Sequence, residues 1–107
     1  MNYLNNAISA KKRARQMKIE KEILELYALW DAAQSHVIAE NVEKKIFEAH
    51  NIKTWEEKLK TLASLTGSSN HAVYAWMNRG RERVKIPFIK LCMIAQEYNL
   101  SMRDLLT

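Results

Sequence analysis

The chain has 107 residues, 48% of them hydrophobic, with two glycines and one proline. That length sets one domain, and so few breakers exclude a turn-rich β sandwich and point to helices joined by short turns. A net charge of +5 is compatible with a polyanionic partner, the single cysteine excludes an internal disulfide, and no apolar run reaches membrane length or resembles a secretory leader, so a cytoplasmic protein is expected.

The charge is unevenly placed. Lys11, Lys12, Arg13, Arg15 and Lys18 face no acid before residue 19, and Arg79, Arg81, Arg83 and Lys85 are opposed only by Glu82. Residues 35–66, between these islands, carry five bases and five acids. Residues 1–8 read as a tail. A helix follows over 9–34, and Ile19, Ile23, Leu26, Trp30 and Ala33 within it, with Val37 just beyond, are spaced four and three apart, the seam of a coiled coil. Leu24, Tyr27 and Leu29 widen that face, so it suits a dimer interface at Ile19, Ile23, Leu26 and Trp30 or packing on the chain's own body. Gln34-Ser35-His36 is the least helical joint, although one bent helix could run through it.

Residues 35–107 form the main body. Ile38, Val42, Ile46 and Ala49 mark a second helical stripe, ended by His50-Asn51 because Asn tolerates a left-handed backbone. Thr54 and Glu57 read as a capping box, opening a helix whose apolar face is Trp55, Leu59, Leu62, Ala63 and Leu65. Gly67 stops that helix. Ser69 caps the next one, with Ala72, Val73 and Trp76 inward, and Gly80 ends it. Pro87 fits the first turn of a helix bearing Phe88, Leu91, Ile94, Ala95 and Tyr98. Ser101 with Asp104 starts a short final helix carrying Leu105 and Leu106.

The order of these signals resembles the helix-turn-helix domain of phage repressor-type regulators over about residues 38–107. The residues that carry the resemblance are Ala63, Gly67, Ser69, Val73, Trp76, Arg79, Gly80, Ile86, Pro87, Ile94, Ala95 and Ser101. Thr66 stands where the family's turn usually has Leu, the segment RERVK lengthens the loop before Pro87, and the first 34 residues have no counterpart. The resemblance implies an all-α, lambda-repressor-like bundle with an extra N-terminal helix, the helix-turn-helix lying at roughly 55–79. It also implies sequence-specific binding of double-stranded DNA by a homodimer that regulates transcription through operator occupancy, in a phage, prophage or bacterium.

The residues agree with that expectation. With Val73 and Trp76 inward, Asn70, His71 and Tyr74 lie outward in the first turns of the second helix, where side chains reach base edges. Ser68, Ser69, Arg79, Arg81, Arg83 and Lys85 are the candidates for phosphate. The basic segment 11–15 is either a DNA-gripping arm or a helix surface. The competing class is a protein-interaction module, an antitoxin or adaptor that keeps the fold. An enzyme is not expected. His36, His50 and His71 are scattered, no His/Cys cluster has metal-ligand spacing, no Gly-rich phosphate loop is present, and Cys92 lies on the inner side of a helix. No cofactor, metal or small-molecule ligand is implied.

Overall fold

The computed structural model describes the backbone of residues 3–78 and 83–107 and the side chains of residues 17–78 and 83–107. The fold is all-helical, and the described residues contain no strand. Helix α1 spans Tyr3–Ala32, so it begins before Ser9 and takes in most of the residues expected as a tail. No Gly or Pro interrupts residues 3–8, and nothing in that stretch breaks a helix.

The joint at Gln34 is a true break. Its backbone is extended (φ −78°, ψ 142°), and α2 starts afresh at Ser35–Val42. The chain then tightens into a π-helical segment, Glu43–Glu48. A π turn holds one more residue than an α turn, so the inward face advances by one position. Ile38, Val42 and Ile46 are fully buried as their spacing implies, but Phe47 joins them at 0% exposure. Ala49, expected to close the stripe, is exposed instead. Asn51 (φ 57°) ends the segment in the left-handed region, with Ile52 N–H donating to Phe47 O at 2.9 Å.

Helix α3 is Trp55–Thr66. Thr54 Oγ1 accepts from Glu57 N–H at 3.1 Å, the first arm of the expected box. The second arm is displaced by one residue, because Glu57 Oε2 accepts from Lys53 N–H at 3.4 Å and not from Thr54. Gly67 (φ 67°, ψ 25°) stops α3, and the Gly67 and Ser68 N–H groups both turn back to Ala63 O. Only glycine adopts that backbone without strain. Helix α4, Asn70–Met77, opens at Ser69, whose hydroxyl accepts from Ala72 N–H at 3.0 Å. Helix α5 is Phe88–Glu97, with Pro87 immediately before it. Helix α6, Met102–Leu106, carries a complete capping box between Ser101 and Asp104.

These helices enclose one core built from Ile38, Val42, Ile46, Phe47, Leu62, Val73, Ile86, Leu91, Ile94 and Leu105, all at 0–1% exposure. Polar ties cross it. Asn41 Nδ2 donates to Leu105 O at 2.9 Å, Lys45 Nζ donates to Asp104 O, and Lys58 pairs with Glu43. Among the described residues, the last turns of α1 join the body through Tyr27, Leu29 and Trp30, with Ala33 just past the helix end, and the Tyr27 ring meets Phe88 edge-on at 5.4 Å. Trp30 packs edge-on against Phe88, and its indole N–H donates to Ile86 O at 2.8 Å.

Candidate nucleic-acid interface

Helix α4 has two faces because successive side chains turn by about 100°. Val73, Trp76 and Met77 are buried against the core. Asn70, His71 and Tyr74 are exposed together on the other side, as expected from their spacing. The inner face and the Ser69 cap hold the helix, and α3 packs beside it across the Gly67 turn. The outer face therefore offers an amide, an imidazole and a phenol on a rigid support. Ser69 Oγ is occupied as the cap. Ser68 is half-buried, its hydroxyl accepting from Thr66 Oγ1 at 2.9 Å.

Trp55 was expected to pack inward with the apolar face of α3, but it is 40% exposed. Its ring meets the Tyr74 ring edge-on at 5.7 Å and 76°. The reason is position. Trp55 falls on the correct angular face of α3, but it sits in the first turn, beyond the reach of the core. It thereby supports one side of the exposed Tyr74 ring. Periodicity gave no signal for this contact, since it records angle and not depth along the axis.

The basic residues divide. Arg79 and Arg81 lie outside the described residues, as does Gly80. Arg83 Nε donates to Asn78 O at 2.8 Å, next to the end of α4. Lys85 is turned away from α4. Its ammonium donates to Trp30 O and Asp31 O, both at 3.0 Å, and lies 4.8 Å from the Trp30 ring centroid. Those carbonyls belong to the last turn of α1, where the helix dipole is negative and Trp30 O has only a 3.2 Å bond from Ala33 N–H. The ammonium expected to meet phosphate thus has a structural use within the fold. Lys90 acts likewise for α3, donating to Thr66 O at 2.6 Å, a function its sequence position did not announce.

An open cleft of about 930 Å³ beside the joint between α1 and α2 is lined by Glu40, Glu43 and Glu48 together with Lys44, Arg83 and Lys85. Both signs of charge therefore meet on its walls. No group of His, Cys, Asp or Glu among the described residues could hold a metal ion. Cys92 is half-buried, and burial pushes its thiol pKa up, away from nucleophilic reactivity. No helix among the described residues is long and apolar enough to cross a membrane.

The seam on α1 splits in two. Trp30 belongs to the chain's own packing, and Leu26 is half-buried. Ile19 and Ile23 are 53% and 49% exposed. Segment 11–15 lies within α1, and its side chains are outside the described residues. No family model, no curated protein and no solved structure matches the chain.

Proposed function

We propose that this protein is a sequence-specific DNA-binding regulator of transcription with a lambda-repressor-like helix-turn-helix, α3 and α4, acting by operator occupancy in a phage, prophage or bacterium. The observation that carries this reading is the outer face of α4, where Asn70, His71 and Tyr74 are exposed together at the capped N-terminal end of a helix anchored by Val73, Trp76 and Met77. Asn pairs bidentately with adenine, His donates to guanine, and Tyr offers a ring to a thymine methyl. Trp55 holds the Tyr74 ring in place. The free N–H groups of the first turn favour a phosphate oxygen.

Selection of bound fragments from a random duplex pool, followed by anisotropy titrations over a range of salt, tests this reading. Asn70→Ala or His71→Ala should cost about 1–3 kcal/mol on the selected site and relax preference at one or two base pairs. Non-specific binding should be unchanged. Each phosphate contact should contribute about −0.9 to the log–log salt slope. If no duplex is retained at low salt, the reading is wrong.

A second reading, a protein-interaction module such as an antitoxin or adaptor, is favoured by one observation. Large apolar side chains stand exposed on α1, with Met17 and Leu24 each at 68%.

A further inference from the structure

We propose that Trp55 and Tyr74 together sense the 5-methyl group of a thymine, Tyr74 by touching it and Trp55 as the positioning residue of the Tyr74 ring. The inference rests on the reading of α4 as a DNA-reading helix. Its first ground is two large rings that the fold leaves unused. Trp55 and Tyr74 are 40% and 42% exposed, and neither belongs to the core or to the side chains packed against it. They meet each other edge-on, with centroids 5.7 Å apart and planes at 76°. Among the described residues, neither the Trp55 indole N–H nor the Tyr74 hydroxyl has a hydrogen-bond partner. Rings of this kind in water are characteristic of recognition surfaces.

The contact restricts Tyr74. The indole blocks one side of the phenol ring, so Tyr74 has less freedom to lose on binding than a lone exposed tyrosine. Its target follows from what surrounds it. The outward face of α4 carries no Arg or Lys. A fixed aromatic ring there matches an apolar group, and the thymine methyl is the one apolar group on the base edges of the major groove.

The helix also sets where that thymine lies. Tyr74 follows Asn70 by four residues, which places it about 40° round the axis and about 6 Å along it. With base pairs about 3.4 Å apart, the thymine lies about one or two pairs from the adenine that Asn70 pairs with.

Trp55 acts through Tyr74 and not on the DNA backbone. Glu56 and Glu57 follow it in the first turn of α3, and their charges repel a phosphate from its N–H. Two rings at 76° also offer no common plane on which successive bases of a single strand could stack.

The test starts from the best duplex selected out of a random pool. Each thymine is replaced in turn by deoxyuridine, which still pairs with adenine and lacks only the methyl. At one thymine, about one or two pairs from the adenine whose selection is lost in Asn70→Ala, affinity should fall about three- to fivefold, the contribution of one buried methyl. Tyr74→Ala and Trp55→Ala should bind the thymine and uracil duplexes equally. Tyr74→Phe and Trp55→Phe should keep the preference. Both rings lie outside the core, so all four variants should fold, and their affinity for an unrelated duplex should match the parent's. In the free protein, nuclear Overhauser contacts should join the two rings. Uracil tolerated at every thymine, or a preference that survives Trp55→Ala, overturns the inference and leaves the DNA reading standing. So does a Trp55→Phe variant weaker on all sequences alike, which would make Trp55 a phosphate contact. Absence of the ring contacts in the free protein removes the positioning role. A failure to select any duplex, or tighter binding of single strands, refutes the DNA reading and this inference with it.

Discussion

Lys85 was expected to hold phosphate, and its ammonium ties the loop before α5 to the end of α1, so removing its charge separates the two roles. Lys85→Met keeps an apolar stem over the Trp30 ring and deletes only the ammonium. The lost interactions are two charge-assisted hydrogen bonds at 3.0 Å to Trp30 O and Asp31 O and a cation–π contact at 4.8 Å. A charge at a helix C-terminus contributes about 0.3–1 kcal/mol, and a cation–π contact about 0.5–1 kcal/mol when exposed. The hydrogen bonds themselves, discounted because the group is only half-buried, add about 1 kcal/mol. The sum is about 2 kcal/mol. At about 4–8 °C per kcal/mol for a domain of this size, the melting midpoint should fall by roughly 8–15 °C. Thermal unfolding followed by circular dichroism measures that fall, and DNA titration of the same variant should give the parent's salt slope. Unchanged melting together with a slope shallower by about 0.9 would show that Lys85 grips phosphate and that its bond to α1 contributes nothing.

Three further outcomes follow from the fold. Gly67→Ala should destabilise by about 1–2 kcal/mol in urea, because the φ of 67° is costly for an L side chain while no atom within 4 Å obstructs a Cβ; Gly67→Asn should cost clearly less. Phe47→Ala should cost about 3–5 kcal/mol, whereas Ala49→Lys should stay within about 0.5 kcal/mol; the opposite pattern would mean that the helix runs through Glu48 without a π turn. The Asp104 carboxyl is held below its ordinary pKa by the Ser101 hydroxyl and then by the Ser101 N–H, so its contribution is complete above the usual carboxylate range and is lost as pH falls through the depressed value. The parent's advantage over Asp104→Asn in urea midpoint should therefore be present at pH 7 and vanish in strong acid. An advantage that grows on acidification would show that the capping box does not perturb Asp104.

The helix boundaries were largely legible because they are set by local chemistry. Ser69, Gly67, Asn51 and the Ser101–Asp104 pair act on backbone groups one to three residues away, and the structure places each at the end its residue type implied. The break at Gln34 was one of two open alternatives, since neither Gly nor Pro marks it. The π turn was not legible. Ile46 and Phe47 are both apolar, so the spacing is satisfied whether or not an extra residue enters the turn. The outward set Asn70, His71 and Tyr74 was readable because Val73 and Trp76 fix the opposite face.

The partners of the charges and the depth of the aromatics were not readable, for a common reason. Periodicity reports an angle around a helix axis; burial also requires something to lie opposite at that height. Trp55 and Ile23 both have the correct angle, and both overhang the body. Trp30 shares its stripe with Ile19 and Ile23 but lies at the level of Phe88 and Ile86, and so becomes internal packing. The bases follow the same logic. Lys85 is close in sequence to the outward face of α4, but Val84 N–H bonds to Ala75 O and draws the loop back across the body. From there its ammonium reaches helix-end carbonyls more than fifty residues away in the chain. A base close in sequence to α4 is therefore open to another partner only if no helix C-terminus reaches it first. At Lys85 and Lys90 one does, so under the proposed DNA reading the neutral side chains of α4 would carry the discrimination, and Asn70 and His71 are where that reading is most exposed to refutation.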